Sequence, residues 1–243
     1  MQENREIIEV SMSEPILTFY HAPMYVAGRY TKSQRNIAQS PWINKSLQSV
    51  SGYIDAIVTK HFQADGCKFC SAGREDIDVK MLGEGRPFLL EICNPRRYLL
   101  LRAHAQSGAS LPPQNSPLDV LRKLLDTICS EVLQASLGSV SIIPRLWLVR
   151  GTASAQLIKV GEVHRPKLYK ATISSKVPLV GCRNFKTLSI NQKTPIRVLH
   201  RRANLNRSKM IYECELSPFP EDGSFVEVTI RAQAGTYRFS SSS

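Results

Sequence analysis

The sequence predicts an α+β fold with a mixed, largely antiparallel sheet that is flanked by helices. Three observations carry this prediction: several segments alternate apolar and polar residues, one long segment repeats apolar residues at helical spacing, and a turn motif joins the last two alternating segments. The 243 residues are enough for one large domain with a buried core. Because the helix interrupts the order of the strands, the topology stays open.

Apolar and alternating segments predict the strands. Two of them, 88–92 and 146–149, are short apolar runs. Two later segments alternate with polar neighbours, which indicates strands with one buried face; their members are Met210, Tyr212, Cys214 and Leu216, then Val226, Val228 and Ile230. The turn residues Glu221, Asp222 and Gly223 lie between these two segments and predict a hairpin connection.

One long helix is predicted after a polar loop at residues 105–117. Ser116 suits the N-cap, Pro117 suits the first helical position, and Gly138 suits the end of the helix. Apolar residues recur at helical spacing between these ends and predict a stripe that faces the core: Leu118, Leu121, Leu125, Ile128, Val132 and Leu133.

Basic residues are concentrated in one part of the chain. The formal net charge is +12, and the stretch from Arg165 to Lys209 holds twelve Lys or Arg and no Asp or Glu. Clustered positive charge is the electrostatic footprint of a surface that binds a polyanion. This stretch therefore predicts contact with a nucleic acid; a plain solvated basic surface is the alternative.

Other features bound the class of protein. No apolar run approaches the roughly 18 residues of a membrane span, and the N-terminal residues include acidic side chains that do not suit a secretory signal. The six cysteines are spread along the chain, which predicts a reducing intracellular compartment. Cys67 and Cys70 have no second ligand pair at suitable spacing, so they predict two unpaired thiols and no metal site.

The segment 71–87 concentrates charged residues beside three glycines. In an extended chain, Arg74, Asp76 and Asp78 share one face, where Arg74 can pair with a carboxylate and lower its pKa. An ionised carboxylate beside a cation, at a turn next to a buried strand, suits a nucleophile or a base. An ordinary charged surface loop is the alternative interpretation.

The same segment resembles the signature of the archaeal and eukaryotic family that makes pseudouridine at positions 54 and 55 of tRNA. The matching residues are Gly73, Arg74, Glu75, Asp76, Asp78, Val79, Leu82, Gly83, Gly85, Arg86, Pro87, Phe88, Asn94, Pro95 and Arg96. One block upstream, at 26–42, and two blocks downstream, at 192–202 and 233–237, follow the family in the same order. The resemblance runs from about residue 24 to residue 237 and is weak near 103–165.

The resemblance implies a pseudouridine synthase fold and an isomerase that modifies tRNA. Asp76 follows the Gly-Arg-x that precedes the family's catalytic aspartate, and Tyr169 matches the tyrosine whose ring stacks on the target base. Further residues are implied in substrate binding: Arg74, Arg29, Lys193, Arg197, Arg201, Arg202 and Tyr237, with Lys32 and Arg35 as similar candidates for the RNA backbone. The reaction has no redox step and no group donor, so no cofactor is expected. Whether Asp76 attacks the sugar, attacks the base or removes a sugar proton stays open.

The implied domain organisation is a lead-in at 1–23, a catalytic domain at 24–237 and a polar tail at 238–243, acting as a monomer. In the family, an aliphatic and then a basic residue follow Gly-Thr-Tyr, and the basic residue pairs with the catalytic aspartate. Here Arg238 and Phe239 follow Tyr237. Either Arg238 is the basic partner one position early, or the sequence is truncated and the tail is unrelated.

Three functional hypotheses follow. The first is an active tRNA pseudouridine synthase. The second is an RNA-binding protein of the same fold that has lost turnover, and the third is an unrelated basic hydrolase that uses Asp76 and Asp78.

Overall fold

The computed structural model describes residues 19–41, 48–98, 117–149, 158, 165–174, 184–196, 199, 203–219 and 225–237, and it confirms the α+β class. Its strands are β1 Met24–Lys32, β2 Gly66–Ser71, β3 Met81–Cys93, β4 Val140–Val149, β5 Lys167–Ser174, β6 Phe185–Lys193, β7 Asn206–Pro218 and β8 Phe225–Ala232. The helices are α1 Val50–Phe62 and α2 Pro117–Ala135, with one 3₁₀ turn at Arg96–Tyr98. Within these residues the strands form two antiparallel sheets of four strands, ordered β2-β3-β1-β4 and β5-β8-β7-β6.

Both helices pack on the first sheet and build its core with side chains from β1, β3 and β4. Helix α1 lies outside the elements predicted above, although Val50, Ile54 and Ile57 follow helical spacing and are buried. The Ser49 side chain caps this helix by accepting a hydrogen bond from the Gly52 N–H at 3.0 Å. Neither described helix combines the length and the apolar run that a membrane crossing needs.

Helix α2 confirms the predicted helix and most of its apolar stripe. It begins at Pro117, and its buried residues are Leu121, Leu125, Ile128 and Val132. The prediction is wrong at Leu133, which is 43% exposed because it lies one position around the helix from the buried stripe. After the last turn, the Gly138 N–H donates to the Leu133 carbonyl at 2.8 Å with a φ of +76°, which closes the helix end. The side chain of Leu118, the N-cap Ser116 and the loop 105–116 lie outside the described residues.

The second sheet has a small core of its own, formed by β7 and β8. The predicted inward alternation of Val226 and Val228 is confirmed, and the Phe219 N–H donates to the Phe225 carbonyl at 3.1 Å across the hairpin. The predicted turn at 221–223 lies outside the described residues. The prediction is wrong at Tyr212, which is 39% exposed, because the ladder with β8 shifts register there and Ile211 turns inward instead.

A large bulge in β3 prepares the site described below. Tyr30 of β1 pairs with Arg86, whereas Lys32, two residues later, pairs with Met81, so four residues of β3 stand opposite one residue of β1. Gly83 and Gly85 lie inside this bulge with φ values of +67° and +71°. The bulge re-aims the strand so that Arg86 turns inward, where its side chain is only 10% exposed.

Candidate active site

The loop between β2 and β3, residues 72–80, carries Asp76 and is a bend followed by a turn. The Val79 N–H donates to the Asp76 carbonyl at 3.1 Å, and Gly73 has a φ of +85°. This geometry replaces the extended chain that would place Arg74 and Asp76 on one face. Arg74 is exposed in this loop, whose backbone is turned and not extended. The pairing of Arg74 with a carboxylate of this segment stays a prediction.

Glu75, one residue before Asp76, is the anchor of the loop. Its carboxylate is buried, and it accepts hydrogen bonds from the Tyr30 hydroxyl at 2.8 and 3.0 Å and from the Arg86 Nε at 2.8 Å. The Gln39 amide donates to the Tyr30 hydroxyl at 2.7 Å and to the Gly73 carbonyl at 3.0 Å. Burial raises the pKa of Tyr30, and the Glu75 charge raises it further, so the phenol stays a protonated donor.

Arg86 connects this anchor to the start of the loop. Its Nε pairs with Glu75, and its Nη1 donates to the Ala72 carbonyl at 2.7 Å. The pair is nearly dry, because the Arg86 and Glu75 side chains are 10% and 3% exposed. A buried charge pair is stable only when its remaining donors and acceptors are satisfied. Within the described residues, no buried side-chain nitrogen or oxygen is left without a hydrogen bond.

Lys32 holds the centre of the loop through hydrogen bonds to backbone carbonyls. Its ammonium donates to the Ile37 carbonyl at 2.8 Å and to the Asp76 and Ile77 carbonyls at 3.3 Å each. Burial lowers the pKa of Lys32, and the neighbouring carboxylates, Glu75 first, oppose this shift. The suggestion that Lys32 contacts the RNA backbone is therefore wrong, since the side chain is fully buried and its donors face the protein. Arg35 is exposed.

Asp76 itself is partly buried, and its negative charge acts on Tyr169 of β5. Tyr169 packs against the core of the second sheet and is also partly buried. Burial raises the pKa of the Tyr169 hydroxyl; the positive charge of Arg86 opposes this shift and the negative charge of Asp76 adds to it. The charges of Asp76, in this loop, and of Arg86, on the first sheet, therefore both act on Tyr169 of the second sheet.

Arg29 has a structural role in the bulge of β3. Its guanidinium donates to the Glu84 carbonyl at 2.6 Å and to the Gly85 carbonyl at 3.0 Å, and its side chain is 26% exposed. Two of its five N–H groups thus hold the bulge, and a contact with RNA stays a prediction.

Lys193 and Tyr237 are brought to one corner of the second sheet. The buried Gln192 side chain donates to the Tyr237 carbonyl and accepts from the Tyr237 N–H, both at 3.0 Å. This double hydrogen bond holds the segment after β8 beside the end of β6. Lys193 is exposed next to it.

Two lysines of the basic stretch 165–209 form ion pairs with glutamates that lie outside the stretch in the sequence. Lys170 pairs with Glu227 at 2.7 Å, and Lys186 lies 3.9 Å from Glu213, in both cases across the strands of the second sheet. In the fold, the positive charge of this stretch is therefore partly neutralised by carboxylates that lie outside it in the sequence. Three other predicted RNA contacts, Arg197, Arg201 and Arg202, lie outside the described residues, as does Arg238.

Four residues of the site, Tyr30, Lys32, Glu75 and Arg86, have roles that the sequence patterns did not reveal. A buried acid such as Glu75 looks like its solvated neighbours in the sequence, because burial is a property of the fold. A usable signal was the pair of glycines before Arg86, since two flexible residues inside a strand are typical of a bulge.

Five cysteines within the described residues are free thiols, Cys67 and Cys70 among them. Burial raises the pKa of the Cys67 thiol to about 12, so this thiol is protonated at neutral pH.

Comparisons with known proteins match most of this chain. A family model described as "Pus10, C-terminal" matches residues 25–238. A Mus musculus protein named tRNA pseudouridine synthase Pus10 is 33% identical over 226 residues, covering 89% of this chain and 38% of the relative. The Homo sapiens protein of the same name is 31% identical over 226 residues, with coverages of 89% and 38%.

An archaeal relative extends the comparison to another domain of life. The protein named tRNA pseudouridine synthase Pus10 from Thermofilum pendens is 31% identical over 236 residues, covering 95% of this chain and 48% of the relative. The chain thus spans less than half the length of these three relatives. Because the family model covers nearly all of its residues, the chain belongs to the Pus10 C-terminal family.

Proposed function

We propose that this chain is the catalytic domain of a tRNA pseudouridine synthase, which isomerises uridine in the TΨC arm at position 54, position 55 or both. The observation that carries the proposal is that a buried Glu75–Arg86 ion pair holds the loop of Asp76, while the charges of Asp76 and Arg86 both act on Tyr169 of the second sheet. The family resemblance assigns the catalytic carboxylate to Asp76 and the stacking ring to Tyr169. The names of the relatives support the substrate class.

The chemistry requires a carboxylate and a pocket for a detached base. The bond between C1′ and N1 of the uridine breaks, the uracil turns, and a bond between C1′ and C5 forms. C5 loses one proton and N1 takes up one proton, directly or through solvent. Atoms and electrons balance without a cofactor. Asp76 supplies the carboxylate, whether it attacks the sugar, attacks the base or removes a sugar proton.

The target uridine has to leave the folded tRNA arm before it reaches Asp76. Extrusion of a base costs about a few kcal/mol. Stacking on the Tyr169 ring returns roughly 1–3 kcal/mol, and phosphate contacts made by basic residues supply the rest. We assign these contacts to Lys193, Arg197, Arg201 and Arg202, together with Arg29, Arg74 and the Tyr237 corner.

Product formation is the direct test of the proposal. The purified chain is incubated with unmodified tRNA, and pseudouridine is mapped at positions 54 and 55. A folded sample that binds tRNA and makes no pseudouridine at either position would support the hypothesis of an RNA-binding protein without turnover. A sample that neither binds tRNA nor modifies it contradicts both hypotheses.

Tyr169→Ala is expected to lower the rate of pseudouridine formation by about 10- to 100-fold, because the loss of base stacking costs roughly 1–3 kcal/mol. Tyr169→Phe keeps the ring and should retain most of the rate. The measurement is single-turnover kinetics at saturating enzyme. Tyr212→Ala, which removes an exposed tyrosine from the same sheet, is the matched control. Equal rates for Tyr169→Ala and Tyr212→Ala would remove Tyr169 from the site.

Lys193→Ala is expected to weaken tRNA binding and to reduce the slope of log Kd against log salt by about one unit, since each neutralised phosphate contributes about 0.7 to 0.9. Lys193 is exposed, and the ion pairs of the described residues do not include it. Lys170→Ala is the matched control, because Lys170 is already paired with Glu227. Binding titrations across a salt series measure both slopes. A Lys193→Ala slope identical to that of the unmodified chain contradicts the assignment.

A further inference from the structure

Behind Asp76 lies a buried ion pair that the proposed reaction does not use directly. We propose that Glu75 and Arg86 are positioning residues, which set the orientation of the loop that carries Asp76. This inference rests on the proposed function for its kinetic consequence. Its structural consequence, the ordering of the loop, stands without it.

The anchor Glu75 is linked directly to the residue that carries the reactive carboxylate. Glu75 and Asp76 are consecutive, so fixing the Glu75 side chain restricts the backbone that leads into Asp76. Glu75 is held from two sides by the Tyr30 hydroxyl and the Arg86 guanidinium, at 2.8 Å each. Lys32 then holds the carbonyls of Asp76 and the residue after it. The loop is therefore tied on both sides of the reactive position.

Arg86 connects three parts of the site. It donates to the Ala72 carbonyl where the loop begins, and it pairs with Glu75 in the middle of the loop. Its positive charge also opposes the rise that burial causes in the pKa of the Tyr169 hydroxyl on the second sheet. One guanidinium therefore relates the loop that carries Asp76 to the ring that is assigned to the base. Arg86 can do so because the bulge at Gly83 and Gly85 turns it inward.

A buried ion pair is weak support for stability, since apolar residues of similar volume are often as stable or more stable. The charge pair at this place therefore suits a requirement for precise orientation, which a nonpolar contact does not impose. A displacement of the reacting group by about 1 Å can cost on the order of 10²-fold in rate.

Three variants separate positioning from stability: Glu75→Gln, Arg86→Gln and the double variant. Each single variant leaves one buried charge without its partner and should lower the Tm. The double variant removes both charges and should recover most of the lost Tm. We expect the single-turnover rate of the double variant to remain on the order of 10²-fold below that of the unmodified chain. Its Kd for tRNA should be unchanged. Glu91→Gln, which breaks the more exposed Lys68–Glu91 pair on the same sheet, should change neither rate nor Tm appreciably.

Hydrogen exchange provides a readout that does not depend on turnover. The Val79 N–H, bonded to the Asp76 carbonyl, reports the order of the loop. In the double variant this amide should exchange at least about tenfold faster, while core amides of β1 keep their protection. A double variant that regains Tm, rate and Val79 protection together shows a purely structural pair and overturns the inference.

Two further outcomes are decisive. If the parent chain makes no pseudouridine, the proposed function fails, and Val79 exchange alone then decides the inference. If the double variant does not fold, Tyr30→Phe replaces it, since this change removes one donor to Glu75 and keeps the ring. Tyr30→Phe should speed Val79 exchange and lower the rate by about tenfold, the effect of about one hydrogen bond to a charged group. If Tyr30→Phe keeps both the Val79 exchange rate and the reaction rate of the unmodified chain, the inference is overturned.

Discussion

Asp76→Asn is expected to lower pseudouridine formation by on the order of 10⁴-fold or more, the scale seen when an essential catalytic carboxylate is removed. The amide has nearly the same shape as the carboxylate, but it carries no charge and is neither a base nor a nucleophile. The Asp76 backbone contacts with Lys32 and Val79 are independent of the side chain, so the loop should keep its conformation. Single-turnover kinetics and tRNA binding, measured on the same preparation, check the rate and the unchanged Kd.

Asp78→Asn is the matched control, since Asp78 lies two residues further along the same loop. We expect Asp78→Asn to retain turnover. If Asp78→Asn makes no pseudouridine while Asp76→Asn retains turnover, the catalytic carboxylate is that of Asp78. Loss of tRNA binding in Asp76→Asn would show that the carboxylate serves the fold or the interface instead.

Gly85→Ala is expected to be the most destabilising single methyl addition in the site. A Cβ at this position would stand 2.7 Å from the Tyr30 carbonyl oxygen, on backbone with a φ of +71°. The left-handed conformation costs an alanine about 1–2 kcal/mol, and overpacking against backbone adds about 1–3 kcal/mol. A total near 3 kcal/mol lowers the Tm of a chain of this size by roughly 6–12 °C. Thermal unfolding monitored by circular dichroism measures the change.

Gly83→Ala separates the two causes. Gly83 has nearly the same φ, +67°, but a Cβ there meets nothing within 4 Å. Its cost should be the conformational part alone, about 1–2 kcal/mol. Equal losses in the free energy of unfolding of the two variants would show that the close approach to Tyr30 costs no free energy. Because Arg86 follows Gly85 directly, Gly85→Ala should also slow the reaction more than Gly83→Ala does.

Much of the fold was predictable where burial follows a regular period. Leu121, Leu125 and Ile128 repeat at helical spacing, and α2 buries them as expected. Val226 and Val228 alternate, and β8 buries them as expected. The predictions were wrong where the period breaks: Leu133 at the edge of a helical stripe, and Tyr212 at a bulge of β7. A bulge changes which face a residue takes without any change in its chemical type.

The sequence by itself determined the family of this protein and the position of Asp76 within its motif, because both depend on the order of residue types. Only the tertiary structure decided that Glu75 and Lys32 are buried anchors, that Arg86 pairs with Glu75, and that the charge of Asp76 acts on Tyr169. The physical reason is that burial, ion pairing and the approach of one sheet to another depend on contacts between residues far apart in the chain. No local pattern encodes those contacts. The loop that resembles an exposed charged turn in the sequence is therefore held, in the fold, by a buried ion pair beside its candidate catalytic carboxylate.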